Sequence, residues 1–144
     1  MSRLAIVLVL ALMLTLPAGP AAAGAKDPKA MVDTINRARA KHGAPALRHH
    51  AALSRSARRY ARYLLRTGSF GHSGRIRASD RFTHLGELLA RHGGRKPRRS
   101  RTVRGWMRSA WHRPVLLGHQ FQFAGIGRVR SRRRTIWVVQ LGAR

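Results

Sequence analysis

Past residue 26 the apolar positions first recur at helical spacing and later alternate as in strands. Met31, Ile35 and Ala38 lie on one helical stripe behind Asp27-Pro28, an N-cap followed by a first-turn proline, and Gly43 stops the run. This predicts a helix over 28–42. Pro45 breaks the pattern, with Leu47 in the link. A second stripe, Leu53, Ala57, Tyr60, Ala61 and Leu64, predicts a helix over 50–67 capped by Gly68, with Arg55, Arg58, Arg59, Arg62 and Arg66 spread over its other faces.

A Gly/Ser loop over 68–79 follows, then a short helical turn near 80–84 and a half-buried strand over 86–90. Residues 92–101, with Gly93-Gly94, Pro97 and a run of basic residues, read as a mobile basic loop. Val103, Trp106, Met107 and Ala110 form a third helical stripe, with Ser100 or Thr102 as its cap. Pro114 should end this helix near Trp111 or His112 and leave His112 at its end. After a loop over 118–122, strands are predicted at 123–130 and 135–141, joined by a basic turn at 131–134. In the last strand Ile136 and Val138 oppose Trp137, Val139 and Leu141, so both faces are apolar and helices must cover the sheet on each side. No internal repeat is visible.

The N-terminal segment has a different character. Arg3, an apolar run over 4–16, Pro17, Pro20 and the small-residue string 21–25 have the composition of a secretory signal peptide. The run is too short to span a bilayer, which takes about 20 residues, and no second such run follows. The expectation is an exported, monomeric protein with a signal peptide over 1–25, one domain over 26–144 and no transmembrane segment in the mature chain. The chain contains no cysteine, so no disulfide supports it even in an oxidising compartment. Thirty Lys and Arg oppose four acids, Asp27, Asp33, Asp80 and Glu87, for a formal charge of +26. That imbalance either serves polyanionic partners, through Arg98, Arg99, Arg101 and Arg132 to Arg134, or merely solvates the surface.

Composition and spacing exclude several chemistries. A cysteine nucleophile is impossible, no Gly-x-Ser-x-Gly elbow is present, and no phosphate-binding loop or nucleic-acid motif occurs. Any catalysis falls to His and Glu. Glu87 stands out, because it sits among Leu85, Leu88 and Leu89, where an unpaired carboxylate is costly.

One set of segments resembles the CAP (SCP-like) superfamily of cysteine-rich secretory proteins, antigen 5 and pathogenesis-related 1 proteins, in its bacterial form. The set comprises 68–73 with His72, Gly86-Glu87-Leu88-Leu89, Trp106 to Leu117, Gly125-Ile126-Gly127 and Ile136 to Gln140, in this order. The resemblance implies an α+β fold, a three-layer α-β-α sandwich with a small, mainly antiparallel central sheet. It also implies a cleft in which His72, Glu87 and His112 converge. His119 is a rival for the second histidine, but the thirteen-residue spacing to Gly125 selects His112. The second acid of many eukaryotic members falls on Ser109, which weakens any inherited catalytic claim.

Three functions fit. The first is a secreted, non-catalytic binding module for lipid or anionic envelope polymers. The second is a zinc-assisted hydrolase in which His72 and His112 hold the metal, Glu87 being a third ligand or the general base. The third is a cationic protein that binds polyanions or membrane surfaces, with no specific nucleic-acid partner.

Overall fold

The computed structural model describes residues 26–78, 81–94 and 98–144. The expected signal peptide, the side chain of Asp27 at the first helix start, and Asp80 and Pro97 lie outside what it describes. Four helices, α1 (Lys26–Ala40), α2 (Ala51–Thr67), α3 (Arg99–Arg108) and α4 (His112–Leu117), accompany strands β1 (Arg48–His49), β2 (His84–Gly93), β3 (Phe123–Arg130) and β4 (Arg134–Ala143) among these residues. The sheet order is β1-β3-β4-β2, with β1 parallel to β3 and the other pairs antiparallel.

The two apolar faces of β4 explain the layering. Trp137, Val139 and Leu141 point into a core with Met31 and Ile35 of α1, Val103 and Trp106 of α3, and Leu116 of α4. Ile136 and Val138 point the other way, onto Ala57, Ala61 and Leu64 of α2. All five of these β4 side chains are buried, as expected of a strand without a polar face. The result is the three-layer α-β-α sandwich predicted above.

Gly125 and Gly127 let α2 come down onto the sheet. A Cβ at either position would run into the backbone of Leu53 and Ser54, or of Ala57. Ile126 between them faces the opposite core. Gly68 closes α2 in the left-handed region at φ 74°, its N–H bonded to the Leu64 carbonyl, which is glycine's usual part at a helix end.

The segment after β2 departs from expectation. The strand continues through His92 and Gly93, and α3 begins at Arg99, so both ends of the expected basic loop belong to regular structure. β2 is longer than expected because all ten of its residues pair with β4. It opens at His84, so no helical turn occupies that position, and Arg81 to Thr83 are non-helical. Ser100 and Thr102 lie inside α3, whose N-cap is Arg98 without a side-chain bond. Thr102 Oγ1 is instead paired with His92 Nε2 at 2.9 Å.

Pro114 does not end a helix. α3 stops at Arg108, the chain turns through Ser109 to Trp111, and Pro114 is the third residue of α4. A first-turn proline needs no N–H partner, so it is tolerated there. His112 therefore opens one helix and does not close another. Among the described residues no helix is long and apolar enough to cross a membrane.

Candidate functional site

Glu87 is delivered by the register of the sheet. It pairs with Gln140 of β4, and both side chains stand on the α2 side with Leu89 and Val138. The Glu87 side chain is only 6% exposed, and its two oxygens are fully engaged. Oε1 accepts from His72 Nδ1 at 3.1 Å and from the Ser73 amide at 2.9 Å. Oε2 accepts from Ser73 Oγ and from Gln140 Nε2, both at 2.9 Å. A buried carboxylate is tolerated when its lone pairs are occupied in this way. Gly86 beside it packs closely against Phe121 and Val115, where an added Cβ would fall 2.8 Å from the Phe121 ring.

His72 lies on the loop after α2, 56% exposed in its side chain. Its bond to Glu87 fixes the ring through Nδ1, so Nε2 is the nitrogen left for other work. His112 lies across from it at the start of α4, with ring centroids 6.0 Å apart and planes tilted by 45°. His112 Nδ1 meets Ser109 Oγ at 2.9 Å, and the same oxygen accepts the His112 amide at 3.3 Å. A hydroxyl can donate to Nδ1 or accept from it, so Ser109 orients the ring without dictating its tautomer, as a carboxylate there would. Burial, and secondarily the charge of His72, lowers the His112 pKa and favours the neutral imidazole.

The three predicted site residues are thus brought together in one cluster. Glu87 has no lone pair to spare, so it is neither a third metal ligand nor an unengaged base. Among the described residues no group of three or more His, Cys, Asp or Glu is arranged to hold a metal ion. What remains is a pair of imidazoles, whereas catalytic zinc sites use three protein ligands and structural sites four. The donor set does not make a catalytic zinc centre; at most it would hold an ion loosely. His119, the rival histidine, is exposed in the loop after α4.

Beside the pair lies an open cavity of ≈ 620 Å³ that reaches His72, Ser73 and Gln140 from the α2 side. Tyr60 Oη donates to the Gly71 carbonyl at 2.6 Å and ties α2 to the His72 loop. Burial, then the charge of Glu87, then Tyr63 raise the Tyr60 pKa and keep this donor protonated.

Two contributors escaped the sequence reading. Gln140, 1% exposed, anchors Glu87; its signal was a polar residue on the otherwise apolar face of Ile136 and Val138. Arg39 is completely buried and donates to the carbonyls of Pro45, Leu116 and Gly118 at 2.7, 2.7 and 3.2 Å. It thereby ties the C-terminal end of α4, the helix that carries His112, to α1. Arg39 falls on the Met31/Ile35 stripe, eight residues after Met31, and that position was its signal.

Comparisons with known proteins agree with this architecture. No curated protein matches the sequence. An outer surface protein of Borrelia burgdorferi superposes with a TM-score of 0.69 at 22% identity, over 81% of this chain and 91% of that one. An extracellular SCP-domain protein of Bacillus anthracis str. Ames gives 0.69 at 20% identity, over 83% of this chain but 41% of its own length. Venom allergen-like protein 4 of Schistosoma mansoni gives 0.64 at 12% identity, over 81% and 87%. At these identities the likeness is one of fold. The profile of the Cysteine-rich secretory protein family, CAP, matches residues 32–141, and with this span the chain belongs to that family.

Proposed function

We propose that this CAP protein is an exported, non-catalytic binding module, its domain starting near Lys26 and its ligand site lying beside the His72/Glu87/His112 cluster. The observation that carries the reading is the state of Glu87, buried and engaged by four hydrogen bonds. A general base must reach the proton it takes, and this carboxylate is spent on holding the His72 loop against the sheet. It acts as a brace. Ser109 in the place of the second acid points the same way. Export is supported by the composition of residues 1–25 and by neighbours described as an outer surface and an extracellular protein.

The hydrolase alternative would need a third metal ligand and an unengaged base. It is tested by titrating zinc into the protein calorimetrically and assaying the zinc-treated protein on an activated ester. The binding-module reading expects weak zinc uptake, lost in His72→Ala and His112→Ala and fading as acid protonates the imidazoles, with no turnover above that of free zinc. Ester turnover that disappears in His112→Ala would overturn it. Fractionation checks the export claim, which expects the processed chain outside the cytoplasm.

A further inference from the structure

The cavity beside His72 carries a recognition pattern of its own. Arg59, Arg75 and Arg77 line it together with Tyr60, Tyr63 and Gln140, and no acid is among its described lining residues. Glu87 stands behind His72 and Gln140 with its oxygens already engaged. Arg59 is held at the wall by a 2.7 Å bond to the Arg77 carbonyl, which uses one of the five donors of its guanidinium. Three arginines in one concave surface favour an anionic oxygen-bearing group.

The second element is flat. Tyr60 and Tyr63 lie nearly parallel, with centroids 5.9 Å apart and planes at 15°, and Tyr63 is 46% exposed. Tyr60 Oη is already committed to Gly71, so what this pair offers a ligand is chiefly ring surface.

The third element is an acceptor awaiting a donor. Gln140 must turn its Nε2 toward the Glu87 carboxylate, since a carboxylate only accepts. That orientation leaves Oε1 buried with no hydrogen-bond partner among the described residues, at a position that lines the cavity. Such an orphan acceptor is costly, and a ligand N–H or O–H that reached it would remove that cost.

We infer that this cavity binds an anionic sugar unit: a pyranose whose phosphate or carboxylate meets Arg59, Arg75 and Arg77, whose C–H face lies on Tyr63, and whose hydroxyl donates to Gln140. Its volume falls within the about 300–1,000 Å³ usual for small-ligand sites. The choice of a sugar over other phosphorylated compounds rests on the proposed role as an exported binding module, since envelope polymers present such units outside the cell. The imidazole pair is not needed for it.

The test is calorimetry on the purified protein with glucose 6-phosphate, glucuronic acid, glucose, uridine monophosphate and inorganic phosphate. Glucose 6-phosphate and glucuronic acid should bind at least about tenfold more tightly than glucose or phosphate, the worth of one additional good contact. Tyr63→Ala should bring glucose 6-phosphate down to the level of phosphate. Arg75→Gln with Arg77→Gln should cost about tenfold or more, while Lys41→Gln with Arg104→Gln, on the opposite face of the sheet, should change nothing. All five substituted residues are exposed, so the melting temperature should hold.

Equal affinity for phosphate and glucose 6-phosphate, or equal losses in both double variants, would reduce the site to general charge attraction and overturn the inference. So would tighter binding of uridine monophosphate, or no binding by any probe. These outcomes leave the binding-module reading standing, which fails instead on ester turnover or on a cytoplasmic location.

Discussion

Glu87 shows how one residue's environment decides its chemistry. A carboxylate in a cleft with two imidazoles invites a catalytic reading, yet four donors converge on it. Glu87→Gln should therefore destabilise the domain by about 1–3 kcal/mol, because an amide N–H₂ must then face at least one of those donors; urea unfolding measures this. Arg39 should be costlier to lose. Arg39→Met removes the only side-chain donors the Pro45, Leu116 and Gly118 carbonyls are seen to have among the described residues, and a loss of about 3 kcal/mol is expected. Titration adds a pH dependence. Burial is the first cause of the lowered pKa values of His50, His92 and His112, so the unfolded chain binds more protons than the folded one below the ordinary histidine value. Their contribution to stability is complete above pH about 6.5 and is lost as pH falls through the folded values. The melting temperature should decline on acidification across that window, and less steeply in His92→Gln.

At the scale of elements, the corner between α3 and α4 and the outer edge of β2 position the site. β2 ends the sheet, and an edge carbonyl there would otherwise be open. Trp106 Nε1 donates to the Leu89 carbonyl at 2.8 Å, so the anchoring tryptophan fills the core and also closes that edge. Its neighbour Trp111 is 87% exposed, although both sit in the same twelve-residue segment, 106–117. Trp106→Phe should keep most of the packing but leave that carbonyl without the indole donor; amide exchange should then rise first along β2. The approach of α2 to β3 is equally exacting. Gly125→Ala should destabilise by about 1–3 kcal/mol or more through overpacking, because the obstructing atoms include helix backbone that cannot swing aside.

For the whole molecule the dominant feature is charge. The turn between β3 and β4 carries Arg132 and Arg133 and leads into Arg134 at the start of β4, and these three share a concave surface with Arg66 at the end of α2. The end of β2 is bound to the same turn, since the Gly94 amide donates to the Arg133 carbonyl at 2.8 Å and Thr135 Oγ1 to the Gly94 carbonyl at 3.1 Å. Basic residues far apart in sequence therefore meet at one end of the sandwich. If that end meets a polyanion, affinity for a model anionic polymer should fall linearly in a log-log plot against salt. Replacing Arg132, Arg133 and Arg134 with Gln should reduce the slope and leave the melting temperature nearly unchanged. An unchanged slope would return the turn to the role of a solvated surface.

The sequence alone determined the layers. The two-faced apolar run of β4 demanded helices on both sides, the stripes of α1 and α2 placed two of them, and the segments around His72, Glu87 and His112 resembled one family in order and spacing. These features are periodic or local, so they are legible without coordinates. Ten-residue pairing with β4 sets the true length of β2, His84–Gly93, where local composition predicts only 86–90 before a basic loop. Pro114 reads as a helix stop from the sequence, because nothing local announces that a new helix starts just before it; the turn at Ser109 decides that. The occupancy of the Glu87 oxygens, the burial of Arg39 against α4 and the orphaned oxygen of Gln140 came only from the tertiary structure. Each depends on which donors and acceptors meet across distant segments, and one-dimensional spacing carries no record of that.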